Sequence, residues 1–153
     1  MISVILFFIL QHYWKKTKFT VVIENKVLFY VLQWTWGILT SITGALMTLV
    51  LMVKYKPQKY GRCVATQLPV NWGLSMGMFV FGEISCLPHE HGHAFQNALL
   101  GPFFITVIAL PSVIRFWIRK IQYNIGKPPK DAYDDLWIEG QATQTGKKYF
   151  EQA

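Results

Sequence analysis

The feature that most constrains the fold is a long apolar run between two lysine-bearing segments. Residues 27–53 are 27 positions without a formal charge. Because a helix of about 20 residues crosses the hydrocarbon core of a bilayer, this run predicts one clear transmembrane helix. Trp34 and Trp36 lie towards one end, where aromatic anchors are common. Small residues at a spacing that lets a second helix approach closely in lipid are Gly37, Ser41, Gly44 and Ala45.

Composition supports a membrane location and argues against a nucleic-acid partner. Hydrophobic residues make up 52% of the chain and charged residues 15%, whereas ordinary soluble domains carry about 25% charged residues. The net charge of +7 suits either nucleic acid or an anionic lipid surface. The basic residues flank apolar runs, however, and the sequence contains no nucleic-acid-binding motif. The predicted partner is therefore the lipid bilayer.

The chain divides into three predicted parts. Residues 1–26 are an apolar and basic N-terminal segment, 27–53 the transmembrane helix and 54–153 a metal-binding domain. The first ten residues are too few to span a bilayer, so they suggest a short interfacial anchor or an extended start. Within the third part, the apolar segment 98–118 contains Pro102 and Pro111, which predict a broken span or a re-entrant segment.

Shorter elements complete the predicted fold, a mainly α membrane protein with a small β-hairpin. Residues 62–68 and 74–84 predict two strands, and the turn-forming Pro69, Asn71 and Gly73 lie between them. Pro88 suits the first turn of a helix that continues to a stop or kink at Gly101. Residues 131–150 are polar and predict one C-terminal helix.

Residues 89–93 read HEHGH and match the pattern H-E-x-x-H. On a helix, His89 and His93 lie on one face and can bind one metal ion. Glu90 lies about 100° round the helix from His89, where its carboxylate can take a proton from a metal-bound water. Gly92 has no side chain, which predicts that a neighbouring element packs closely there.

His91 distinguishes a helical site from an extended one. A helix turns His91 about 200° away from His89, whereas a strand would place all three histidines on one face. The following AFQNALL favours the helix, so His91 is predicted to pack rather than to bind metal. Gln96 and Asn97 continue the polar face one turn later and are predicted to support the ligands or to contact substrate.

HEHGH followed by a later helix with Glu139 in E-G-Q-A resembles the gluzincin metallopeptidases. The resemblance implies that Glu139 is the third protein ligand of Zn²⁺, which leaves an open position for water. That class often places an aspartate after E-x-x-A, where this chain has Thr143, so Thr143 or Asp135 is left to orient a ligand histidine. Residues that compete with Glu139 as third ligand are Asp134, Asp135 and Glu83.

Three further segments, HEHGHAFQNALLGP, ALPSVIRFW and YDDLWIEGQAT, resemble a group of small uncharacterised bacterial membrane proteins. The likeness covers about residues 34–148 and implies an integral protein of the bacterial cell membrane. HE-x-GH is also similar to the site-2 proteases, but the aspartate ligand that those take from a later transmembrane segment is missing here.

These observations leave two functions open. The first is a membrane-bound zinc metallohydrolase, a peptidase acting on peptides or membrane proteins, in which Glu90 activates a zinc-bound water. The alternative is a non-catalytic membrane protein that binds metal or a partner. Arg115 and Arg119, one turn apart, suggest an interfacial basic stripe or a clamp for a substrate carboxylate. The first function requires Glu139 to lie within metal reach of His89 and His93.

Overall fold

A computed structural model describes residues 2–152. Over this range the chain is mainly helical, with a small mixed four-stranded sheet. The α-helices are α1 (Ile2–Thr17), α2 (Lys26–Trp34), α3 (Ile38–Leu51), α4 (Leu87–Leu100), α5 (Leu110–Asn124) and α6 (Trp137–Gln152). The strands are β1 (Gln58–Tyr60), β2 (Cys63–Gln67), β3 (Gly73–Met76) and β4 (Phe79–Gly82).

The apolar run 27–53 is two helices rather than one. Helices α2 and α3 meet at an angle of 88°. Of the helices within residues 2–152, none alone is both long and apolar enough to cross a membrane, although α2 with α3, and Leu87–Phe103 with Ile105–Asn124, meet the requirement as bent pairs. The prediction of a single transmembrane helix over 27–53 is therefore wrong.

A buried amide network explains the bend between α2 and α3. Gln33 is fully buried, and its Nε2 donates to the Ala94 carbonyl of α4 at 2.8 Å. Its Oε1 accepts from Asn97 Nδ2 at 2.6 Å. The Gly37 N–H bonds to Leu32, which leaves the Gln33 carbonyl to accept from Ser41 Oγ at 2.8 Å. Backbone groups freed by the break thus find partners without water, as buried polar groups must.

The sheet has the order β1-β2-β4-β3. The two predicted strand regions do pair, but Val64 of β2 lies opposite Phe79 of β4 in parallel, so the predicted hairpin across 69–73 is wrong. The antiparallel hairpin lies inside 74–84, where β3 turns into β4 at Gly77. Gly77 has φ +62°, and a Cβ there would overlap Ser41. The turn therefore requires a glycine, and β3 is left at one edge of the sheet.

Helix α4 begins with Pro88 in its first turn, and its cap residue is Gly101, as predicted. A 3₁₀ turn (Gly101–Phe103) and a π-helical turn (Ile105–Ala109) then lead into α5. The overall bend of 115° between the two halves agrees with the predicted break in 98–118.

The C-terminal helix begins later than predicted. A separate 3₁₀ turn, Tyr133–Asp135, precedes α6. The Asp135 carboxylate accepts from the Ala132 N–H at 2.9 Å, which closes this turn on itself. Helix α6 lies over α1 and the π-helical turn, where Trp14, Val107, Trp137 and Ile138 form a buried cluster. Residues of the N-terminal segment are therefore part of the core.

Candidate metal centre

The site lies where α4 crosses α6. Two glycines let the helix backbones approach each other. A Cβ on Gly92 would overlap the Ala142 carbonyl, and a Cβ on Gly146 would overlap the Pro88 carbonyl. The close approach that Gly92 predicted is thus present. It places the HEHGH turn directly against the first two turns of α6, which carry Glu139 and Thr143.

His89, His93 and Glu139 converge on one point. Glu139 Oε2 lies 3.1 Å from His89 Nε2 and 3.4 Å from His93 Nε2. One candidate ligand atom from each residue lies within 4.8 Å of the other two. The two imidazole rings are perpendicular, with centroids 4.7 Å apart. These three residues could hold a metal ion, as the sequence predicted.

The hydrogen bonds of His89 fix its tautomer. Thr143 Oγ1 donates its single proton to Asp134 Oδ1 at 3.1 Å. The same hydroxyl lies 2.8 Å from His89 Nδ1, so it must accept there and Nδ1 must carry the proton. His89 Nε2 then points at Glu139. The sequence predicted that Thr143 or Asp135 orients a ligand histidine. In the structure Thr143 contacts His89, and Asp134 accepts the hydrogen bond of the Thr143 hydroxyl.

Gln96 fixes His93 in the same way. Its Nε2 donates to the Ile138 carbonyl at 2.8 Å and to Gln141 Oε1 at 2.6 Å. The amide oxygen must therefore face His93 Nδ1, 2.6 Å away, and Nδ1 must be the donor. Both histidines thus direct Nε2 at the Glu139 carboxylate, with Nδ1 donating away from it. As neutral imidazoles the two rings would present their Nε2 lone pairs to a metal ion here, and metal-ligating histidines commonly donate their other ring N–H in this way.

Glu139 is fully buried, and its Oε1 makes no close hydrogen bond among residues 2–152, although the Tyr133 hydroxyl lies near this carboxylate. Burial alone would raise the pKa of Glu139, but the hydrogen bonds and charge of His89 and His93 outweigh it and lower the pKa. The carboxylate therefore stays ionised, the form that binds metal. A buried charge with one oxygen that lacks a close hydrogen bond fits a cation at this point.

Glu90 is buried beside the three ligands, and its side chain lines a cavity of about 410 Å³. A Cβ on Gly73 would overlap Glu90 Oε1, so the edge strand β3 packs directly against this carboxylate. Glu90 is outside the group of three ligands, as the helix geometry predicted. Its carboxylate therefore faces the cavity from outside the group that could hold a metal ion.

Tyr133 is a cavity residue that the sequence analysis missed. Its ring lies 6.3 Å from that of His89, and the guanidinium groups of Arg115 and Arg119 lie 5.7 and 5.6 Å from its centroid. Burial, and then the charge of Glu139, raise the pKa of Tyr133, so its hydroxyl remains a hydrogen-bond donor. Tyr133 could have been identified from the sequence because it lies next to Asp134 in the segment YDDLWIEGQAT.

Arg115 and Arg119 contact the loop before α6. Arg115 Nη2 donates to the Asp131 carboxylate and to the Ala132 carbonyl, both at 2.7 Å. Arg119 Nη1 donates to the Asp131 carbonyl at 3.0 Å. Neither arginine lines the cavity. The clamp for a substrate carboxylate and the interfacial basic stripe stay predictions.

Other predicted residues lie away from the ligands. Asn97 belongs to the network at the α2–α3 bend, and Asp135 closes the turn before α6. Glu83 is exposed and lies outside the group of three. His91 points away from the site, as predicted, because it stacks on Tyr149 with centroids 4.4 Å apart and accepts from the Arg62 N–H.

Comparison with protein-family models, curated proteins and solved structures finds no match to this chain.

We expect Thr143→Val to lower metal affinity by about 10- to 100-fold, the usual effect of losing a group that orients a ligand histidine. Valine keeps the volume of Thr143 but cannot accept from His89 Nδ1. Competition with a chromogenic chelator measures the affinity. Gln144→Ala changes an exposed neighbour on α6 and should leave affinity unchanged. Equal affinity in wild type and Thr143→Val would remove the hydroxyl from the site.

Proposed function

We propose that the chain is an integral membrane zinc hydrolase that cleaves peptide bonds. The observation that carries the proposal is the convergence of His89, His93 and Glu139, with the Glu90 carboxylate beside them on the cavity wall. Two imidazoles and one carboxylate are a common ligand set for catalytic zinc. Zinc at these ligands would polarise a carbonyl group and lower the pKa of a water molecule.

The chain's own residues would perform the proton transfers. Glu90 would accept a proton from the attacking water and deliver it to the departing amine. Tyr133 would donate a hydrogen bond to the polarised carbonyl oxygen, since its hydroxyl stays protonated. Thr143 with Asp134, and Gln96 with Gln141, would hold the two histidines in the ligand tautomer.

Peptide hydrolysis should require bound metal, and removing the metal should abolish it reversibly. We expect the purified protein to hydrolyse members of an apolar peptide library, to lose this activity in a strong chelator and to regain it with added zinc. Mass spectrometry of the products measures cleavage. Full zinc occupancy with no cleavage of any library peptide would contradict the hydrolase and favour the non-catalytic metal-binding alternative.

The distribution of apolar surface supports the membrane part of the proposal. In helix α5 apolar side chains face outward and two arginines are mostly covered, which is the reverse of an amphipathic helix in a soluble protein. Its outward residues Trp117, Ile118 and Ile121 are 53%, 51% and 55% exposed, whereas the side chains of Arg115 and Arg119 are only 17% and 15% exposed. Apolar residues of α1 and α3 are also exposed. Apolar surface of this extent favours lipid contact.

Cysteine labelling tests lipid contact directly. Leu46 of α3 is 58% exposed, and Gln144 is exposed on polar α6. In a Cys86→Ser background and open membrane fragments, we expect a membrane-impermeant maleimide to label Gln144→Cys readily and Leu46→Cys far more slowly. Labelling of both at the same rate would contradict burial of α3 in lipid.

A further inference from the structure

One wall of the cavity is a continuous stripe of α5 and of the last residue of the π-helical turn before it. The residues of this stripe are Ala109, Ser112, Val113, Phe116, Trp117 and Lys120. Their spacing of three or four residues places them on one helix face. Val113 and Trp117 are also 49% and 53% exposed at the protein surface. The cavity is therefore a groove that opens along the apolar, outward side of α5.

The two ends of this groove differ in charge. Glu90 and Glu139 lie at the metal end, and Lys120 is the single lysine or arginine among the lining residues within 2–152. Ser112 lies beside the Tyr133 hydroxyl and so marks the metal end on α5. Lys120 follows it by eight residues, about 12 Å of helix rise between the two Cα atoms, and its ammonium lies over the rings of Phe116 and Trp117. That distance is spanned by about three to four residues of extended chain.

The opposite wall favours a peptide over an acyl chain. Gly73, Leu74 and Ser75 of β3 line the groove, and β3 pairs with one strand only, β4. An edge strand offers free backbone groups to a peptide but none that an acyl chain can use. Ser75 is 6% exposed, and its Oγ has no partner among residues 2–152. A peptide group in the groove would satisfy it.

We propose that the substrate is an apolar peptide segment that occupies this groove from the bilayer side, with its free C-terminal carboxylate at Lys120. The inference rests on the proposed hydrolase and names its substrate. Water would add to the carbonyl carbon about three to four residues before the C-terminus. The C–N bond would break, the new carboxylate would stay on the longer fragment, and the water proton would leave on the amine of the short fragment.

Binding without cleavage tests the groove. A dye-labelled apolar hexapeptide, as free acid or C-terminal amide, is titrated with zinc-loaded Glu90→Gln protein in lipid nanodiscs, and anisotropy is read. We expect the acid to bind about fivefold more tightly than the amide, as for an exposed ion pair. Adding Lys120→Gln should abolish this preference. Adding Lys127→Gln, which changes an exposed lysine outside the groove, should preserve it.

A second pair of variants tests occupancy of the groove. Val113 and Ile114 are adjacent and both 49% exposed, but only Val113 lines the cavity. Val113→Trp should weaken peptide binding at least tenfold, and Ile114→Trp should not. Equal effects of the two, or no acid preference, would overturn the inference. Displacement of the hexapeptide by dodecanoate at equal concentration would assign the groove to an acyl chain. If the hexapeptide binds as expected but wild-type protein does not cleave it, the hydrolase proposal is contradicted and the peptide groove is not.

Discussion

Glu90→Gln should retain zinc and the folded state while peptide hydrolysis falls by about 10²–10⁴-fold, the usual contribution of a placed general base. Glutamine keeps the size and polarity of Glu90 but cannot accept the proton of water. Glu90 is outside the ligand group and lines the cavity, so binding and catalysis should separate at this residue. Initial rates with the best library peptide, at matched zinc content, measure the effect.

Glu83→Gln is the matched control for Glu90→Gln. Glu83 is an exposed glutamate outside the cavity, so its loss of charge should leave both zinc content and rate unchanged. If Glu90→Gln hydrolyses peptide as fast as wild type, Glu90 has no part in the reaction. If Glu90→Gln instead loses its zinc, the carboxylate belongs to the binding site.

Removal of Glu139 should have the largest effect on metal affinity. Glu139→Ala deletes the carboxylate that both Nε2 atoms face, and we expect a loss beyond the roughly 10- to 100-fold of a merely supporting group. His91→Phe should keep zinc, because His91 stacks on Tyr149 away from the site. Phenylalanine preserves that packing better than alanine would. Chelator competition measures both variants, and circular dichroism checks that each is folded.

The opposite pattern would change the ligand assignment. If His91→Phe released zinc while Glu139→Ala retained it, the metal would be bound by the three histidines on an extended segment. That arrangement is incompatible with α4 as a helix and with the placement of Glu139 beneath His89 and His93.

The central part of the site could be predicted because its information is local. The i,i+4 spacing fixes His89 and His93 on one helix face and turns His91 away, whatever the rest of the chain does. Pro88 and Gly101 mark the ends of α4. Glu139 was predicted as a ligand from the resemblance to gluzincins. Its distance to the histidines depends on the crossing of α4 and α6, for which Gly92 was the one indication in the sequence.

The remaining features depend on contacts between distant segments. The bend at Gln33 exists because Asn97 and Ala94 of α4 provide its partners, which hydropathy over 27–53 cannot indicate. The parallel pairing of β2 with β4 likewise depends on the turn at Gly77 and not on residues 69–73. Asn97 and Arg115 were chosen by residue type, and the contacts they make, with Gln33 and with Asp131, lie between segments that are distant in sequence.

The metal content of the wild-type protein tests the account most directly. Protein purified in detergent without added metal, beside His93→Ala, is analysed for bound metals by mass spectrometry. The arrangement of His89, His93 and Glu139 predicts zinc in a one-to-one ratio with the wild-type chain and near-complete loss in His93→Ala. Wild-type protein that is folded but binds no metal, even after exposure to excess zinc, would contradict it.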